Sequence, residues 1–328
     1  MMRPLALLAV MLLCGAARAD ELPALRRGIN VLGYDGIWNG EVDNPFRMND
    51  FDRIRAAGFD HVRINFFGLR HMDATGKLGR TALAALDKAI DGAIARGLVV
   101  VLDQHQNEEC VTTPLLCKDK LVAFWKQVST RYAGTRPALL YEILNEPGGV
   151  MTHEQWNDAL ADALAEIRAH DRERPVVVAA LNVGGPVAVT QLRLPPDDRR
   201  LIVTVHYYEP MRFTHQSAPW SPDYAKFRNV AWGAADSRAA VEADFAPAAA
   251  WARENGRPMW LGEFGVYDKA PPLSRAAWTR HVARAAEKSG WGWAFWEFDH
   301  EFAAIDIATG AWRQDLLDAL MDKPPANP

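Results

Sequence analysis

The sequence predicts a single (β/α)8 barrel, and three observations carry that prediction. Eight short apolar runs alternate with longer amphipathic stretches along the chain. Several of the runs lack polar alternation, as strands buried on both faces of a parallel sheet do. No G-x-G-x-x-G turn follows the first run, where an open dinucleotide-binding sheet would need one. The composition agrees. Of 328 residues, 49% are apolar and 24% charged, which excludes a disordered chain. The formal net charge of −4 leaves no basic surplus to hold a phosphate backbone, so nucleic acid is not an expected partner.

The first 19 residues stand apart. Arg3 precedes an apolar run, and Ala17-Arg18-Ala19 forms an A-x-A site before Asp20. This reads as a secretory signal peptide, with a barrel domain over 20–328 and an exported, periplasmic or extracellular product. The run is shorter than the roughly 18 apolar residues of a spanning helix. Leu13 stands where a small residue precedes a lipidated cysteine, so Cys14 is not expected to anchor the chain to a membrane. After cleavage Cys110 and Cys117 remain, close together, and in an oxidising compartment they are expected to pair. The spacing lacks the further Cys and His of a structural zinc site, so no metal is expected.

The expected strands are 28–34, 61–66, 98–105, 139–146, 175–182, 201–208, 258–265 and 290–298. The expected helices are 49–57, 81–96, 118–132, 153–170, 237–255 and 274–288. Asn49, Thr81 and Ser274 read as N-caps, and Gly58, Gly97 and Gly256 as C-terminal stops. The fifth crossover, after Asn182, is poorly helical.

In such barrels chemistry sits at the C-terminal strand ends. Here those ends carry Arg63, Asn65, Asp103, His105, Asn145, Glu146, His206, Tyr208, Glu263 and Trp296. Glu146 ends the fourth run and Glu263 the seventh. A carboxylate after an apolar strand is costly unless it is paired or used. Strands four and seven face each other across a closed barrel, so the two side chains can meet over its mouth. Paired carboxylates in different environments divide the acid and nucleophile roles of glycoside hydrolysis. Glu142, one turn of the pleat deeper, reads as a buried barrel residue.

Asn145-Glu146-Pro147 and Gly262-Glu263-Phe264-Gly265 resemble glycoside hydrolase family 5, the cellulase A family. The resemblance extends through Arg27-Gly28-Ile29-Asn30, His61-Val62-Arg63-Ile64, Asp103-Gln104-His105 and His206-Tyr207-Tyr208-Glu209-Pro210. It implies a retaining endo-β-1,4-glucanase that needs no cofactor and acts on a β-linked polysaccharide or oligosaccharide. Glu146 would be the general acid/base and Glu263 the nucleophile. Asn145 would bind the sugar 2-hydroxyl, and Arg63 and Tyr208 would hold Glu263. His105 and His206 would line the cleavage subsite, with Trp296 as its floor. Trp38 and Trp220 are further candidate sugar platforms. The third strand continues Gln106-Asn107, where many relatives carry an aromatic or a second His. The loop holding Cys110 and Cys117 is expected to form one wall of the cleft. A β-mannanase or mixed-linkage β-glucanase, a trimming enzyme of a polysaccharide export apparatus, and a catalytically silent binding barrel are the alternatives. A monomer is expected.

Overall fold

The computed structural model describes residues 22–41, 45–105, 108–182 and 186–322. The signal-peptide reading falls on residues 1–19 and lies outside them. Eight parallel strands close into a barrel in sequence order, with β1 paired to both β2 and β8. The strands are β1 (Arg27–Val31), β2 (His61–Phe66), β3 (Val99–Gln104), β4 (Leu139–Glu142), β5 (Val176–Ala179), β6 (Leu201–Tyr207), β7 (Met259–Phe264) and β8 (Gly292–Phe295). All eight expected runs are strands, several of them shorter than the apolar run that announced them.

Helices wrap the barrel: α1 (Asp50–Ala57), α2 (Arg80–Ile94), α3 (Glu108–Thr112), α4 (Pro114–Tyr132), α5 (His153–His170), α6 (Met211–Thr214), α7 (Ala235–Asn255), α8 (Pro272–Lys288) and α9 (Gln314–Met321). The fifth crossover carries a 3-10 segment, Pro186–Gln191. Gly58 and Gly256 cap helices in the left-handed conformation, as expected. Asn49 stands at the N-cap of α1 as expected, although its side chain makes no cap bond. The other two expected N-caps are corrected: Thr81 and Ser274 lie inside helices that start earlier. The hydroxyl of Ser274 serves Trp232 instead. A capping box at Thr152 and Gln155 went unread.

Two kinds of core result. Val101, Leu140, Val177, Ile202, Trp260 and Ala294 fill the lower barrel, with Leu25 from the preceding segment beneath them. A larger cluster joins the outer strand faces to the helices. Above the apolar plug the inward positions turn polar: Asn30, Arg63, Asp103, Glu142, His206 and Glu263 are all buried. The plug keeps water from entering below, so charges near the mouth interact strongly.

Where β8 passes the segment leading into β1, the backbones approach too closely for a side chain. A Cβ on Gly292 of β8 would stand 1.4 Å from the backbone oxygen of Leu25. That oxygen cannot swing aside. Gly292→Ala should therefore destabilise the fold by about 1–3 kcal/mol through overpacking. A thermal melt superimposable on that of the unaltered protein would contradict this.

Candidate active site

Arg63, on β2, is fully buried under the mouth and uses its whole guanidinium. Nε donates to Glu142 Oε2 at 2.6 Å, and Nη2 donates to Glu142 Oε1 at 2.9 Å. Nη2 also reaches Asn145 Oδ1 at 2.9 Å and lies 3.1 Å from Asp103 Oδ2. Nη1 donates to Asn30 Oδ1 at 2.9 Å and to Glu263 Oε1 at 2.5 Å. Burial works against the cation, but Asp103, Glu142 and Glu263 outweigh it and hold Arg63 charged. Asp103 is kept low, because Arg63 and His105 outweigh its burial. Burial wins at Glu142 and pushes it up.

The second oxygen of Glu263 accepts from the Tyr208 hydroxyl at 2.9 Å. Burial, and then the Glu263 charge, pushes the Tyr208 phenol far up, so it stays a donor. Glu263 is thus gripped on both oxygens and has one orientation.

Glu146 is placed differently. It lies past the end of β4, in the loop, with φ +41°. The expectation that strand four runs to Glu146 is corrected: a left-handed residue cannot continue the ladder. Such a conformation in a non-glycine residue costs about 1–3 kcal/mol and persists only where surroundings enforce it. The effect is to turn the side chain toward β6, where Oε1 lies 2.8 Å from His206 Nδ1. His206 Nδ1 is also 3.4 Å from Glu263 Oε2. Donor atoms of Glu146, His206 and Glu263 all fall within 4.8 Å of one another. Burial pushes the Glu146 carboxyl up, but the His206 hydrogen bond and charge prevail and lower it. Burial opposes the His206 cation, but Glu263 and Glu146 outweigh it and raise His206 above its ordinary 6.5.

Among the described residues this trio is the group compact enough to hold a metal ion. Its chemistry suits one poorly. A metal-bound His donates its other ring nitrogen to an acceptor, and His206 Nε2 is buried without one. Arg63, 2.5 Å from Glu263, repels a cation further.

The cleft above the carboxylates is lined by aromatic rings. Trp296 is buried at its base and stacks on His105, with centroids 5.4 Å apart and planes at 6°. His105 is oriented by Asp103, 2.5 Å from its Nδ1. Trp220 is 43% exposed and stands edge-on against Tyr267, 4.8 Å away. At the other side Tyr34 is 57% exposed and stacks on His300. An open cleft with a ring presented at each side suits a long polar chain with apolar sugar faces.

A family model described as Cellulase (glycosyl hydrolase family 5) matches residues 24–301. The chain belongs to glycosyl hydrolase family 5, the cellulase family. Endoglucanase H of Acetivibrio thermocellus is 27% identical over 297 residues, 88% of this chain but 31% of that protein. The chain therefore spans under a third of that relative. Cellodextrinase A of Ruminococcus flavefaciens is 25% identical, over 80% of this chain and 82% of its own. Among solved structures, Thermotoga maritima Cel5A with mannotriose is 38% identical, with a TM-score of 0.85 over 90% of this chain and 97% of its own. The cellulose synthase subunit Z of Clostridioides difficile is 31% identical, with a TM-score of 0.85 over 91% of this chain and 100% of its own.

On this family-5 barrel the residues singled out from sequence fall into two groups. Arg63, His105, Asn145, Glu146, His206, Tyr208, Glu263, Trp220 and Trp296 gather at one mouth. Trp38 does not. It is 3% exposed, donates to Leu32 O and packs on Phe66, so it is a core residue and no sugar platform. The two cysteines form a disulfide, but their setting is corrected. Cys110 lies in α3 and Cys117 in the first turns of α4, both fully buried, and neither lines the cleft. Asp103, Glu142 and Asn30 were missed as partners of Arg63, and Tyr34 as a cleft residue. A buried arginine requires counter-charges, and the charged residues inside apolar strands were that signal.

The Glu146–His206 contact is open to direct measurement. In Glu146→Gln the His206 imidazole loses a raising charge, so its titration should move down. An NMR titration that left His206 unmoved would show the two groups to be uncoupled.

Proposed function

We propose that this protein is an exported retaining endo-β-1,4-glucanase, with a mature chain from residue 20 and Glu263 and Glu146 as its catalytic carboxylates. The observation that carries the reading is the carboxylate approach, within 4.8 Å. Retaining glycosidases hold the two groups about 5–5.5 Å apart, whereas inverting ones leave about 6.5–9.5 Å for a water. Glu263, fixed by Arg63 and Tyr208, attacks the anomeric carbon, forming the glycosyl–enzyme bond as the glycosidic bond breaks. Glu146 gives a proton to the departing oxygen. In the resting site the pair favours the proton on His206, whose Nδ1 lies 2.8 Å from Glu146 Oε1 and is placed to hand it to the acid. Once Glu263 is esterified its charge is gone. Glu146, now an anion, takes a proton from water as the water oxygen bonds the anomeric carbon and the bond to Glu263 breaks, which frees the Glu263 carboxylate and releases the sugar with its configuration retained. Asn145, held by Arg63, presents its amide to the sugar 2-hydroxyl, and Trp296 and His105 form the floor.

The name Endoglucanase H and the cellulose synthase subunit support β-1,4-glucan as substrate. A β-mannan is the second reading. The Cel5A relative is described both with mannotriose and with cellobiose. Hydrolysis rates on soluble cellulose, barley glucan and mannan, with product lengths, separate these.

The catalytic assignment is tested by substitution. Glu263→Ala and Glu146→Ala should each cost several orders of magnitude in turnover and leave the fold intact. Azide should rescue Glu263→Ala and give an α-glycosyl azide, because the anion enters the vacated face. A 2-fluoro cellobioside with a good leaving group should label Glu263 in the unaltered enzyme, as read by peptide mass mapping. Label on another residue, or near-normal activity in either variant, would overturn the assignment.

A further inference from the structure

We propose that the Cys110–Cys117 disulfide, Val111 and Gly149 form a strut that positions Glu146. The inference rests on the reading of Glu146 as the acid/base. None of the four touches substrate in this scheme; they are positioning residues.

The strained backbone at Glu146 needs restraint on both sides. On the N-terminal side it is held by the barrel. Asn145 N–H donates to Gln104 O at 2.9 Å, and Arg63 grips the Asn145 side chain. On the C-terminal side the chain turns through Pro147, Gly148 and Gly149, and Gly149 has φ +71°. Two bonds fix this turn. Asn182 N–H donates to Pro147 O at 2.7 Å, and Val150 N–H donates to Val111 O at 2.9 Å. The approach to α3 is close enough to demand glycine. A Cβ on Gly149 would stand 2.3 Å from the Val111 oxygen.

Helix α3, which carries Val111, has five residues. A single turn does not hold itself in water. Its inner side is anchored in the core through Cys110, but its outer surroundings are loosely packed, since Leu115 and Val150 are largely exposed. The Lys120–Glu109 pair links α3 to α4, but both partners are about one-third exposed and such pairs contribute little. Backbone bonds from Thr113 N–H to Glu109 O and from Cys117 N–H to Thr113 O continue α3 into α4, and the disulfide adds the covalent link across that junction. Cys110 adjoins Val111, and Cys117 sits in α4. Further along α4, Trp125 Nε1 donates to Ile143 O at 3.0 Å. The path therefore starts and ends on the same stretch of chain. Ile143 holds α4, α4 holds α3 through sulfur, and α3 holds the turn that follows Glu146. Glu146 is clamped inside a closed ring.

A misplaced acid harms glycosyl–enzyme formation only where the leaving group needs its proton. A poor leaving group such as a sugar alkoxide needs protonation, whereas dinitrophenolate does not. Each variant is therefore compared on cellotetraose and on 2,4-dinitrophenyl β-cellobioside by kcat/KM, which reports glycosyl–enzyme formation and not the later hydrolysis, where Glu146 is needed as base on either substrate. Cys110→Ser with Cys117→Ser in the full chain should lose about ten- to a hundredfold in kcat/KM on cellotetraose. On the dinitrophenyl substrate it should change by less than about threefold, because no proton is needed. Gly149→Ala, which keeps the disulfide, should show the same split, as should the unaltered protein after thiol reduction. These two remain informative if the double variant fails to fold. Equal losses on both substrates, or no loss on either, would overturn the strut. Glu146→Ala is the control. It should show the split in its strongest form, and a control without a split would reject Glu146 as the acid and leave the strut without a purpose.

Discussion

A single buried cation organises the mouth of this barrel. Arg63 has no access to water, and an unpaired guanidinium there would cost several kcal/mol. The protein meets that cost with carboxylates from three other strands: Asp103 next to it on β3, Glu142 on β4 and Glu263 across the barrel on β7. Because guanidinium is planar, these contacts are directional, and each partner is fixed by the others. Glu142 takes two of the guanidinium hydrogen bonds, and Asn30, Asn145 and Glu263 one each, with the Asp103 charge beside them. Glu263 receives one Nη1 bond and keeps its other oxygen for Tyr208. One anion at the mouth is thereby held from behind by buried Arg63 and from the cleft side by Tyr208.

The two glutamates differ because their supports differ. Glu263 stands on a strand, paired with His206 of β6 just past a register shift that skips Gly262. Glu146 stands beyond its strand in a left-handed conformation, and its carboxylate is partly exposed. In the proposed double displacement this difference fits the roles, because the acid must exchange protons with leaving group and water at the cleft while the nucleophile must hit one atom. The rim aromatics complete the division. Trp296 is buried and fixed by stacking on His105, while Trp220 and Tyr34 line the cleft and stay exposed.

Much of this was legible in the chain. The apolar runs gave every strand, and polar residues at the run ends gave the mouth. What was not legible involves side chains and backbone angles rather than periodicity. Nothing in Leu144-Asn145-Glu146-Pro147 says that the ladder stops at Glu142 and that Glu146 takes a positive φ. Trp38, after the first strand, has the same local pattern as a rim residue, but its indole finds Leu32 O and turns inward. The segment around Cys110 lacks helical periodicity because α3 is too short to display any. Thr81 and Ser274 resembled caps, yet each helix starts before them, with Pro272 opening α8. Glu142 was read as a buried barrel residue, which it is; its grip on Arg63 becomes visible only once strands two and four are brought together.

The most direct test is the pH dependence of kcat/KM for Arg63→Ala on a chromogenic cellobioside, with circular dichroism confirming the fold. If the Arg63 lattice keeps Glu263 available as the attacking anion, the acid limb moves to higher pH, because the cation 2.5 Å from that carboxylate is gone. An acid limb left in its original place, with activity lost uniformly across pH, would contradict that role for Arg63.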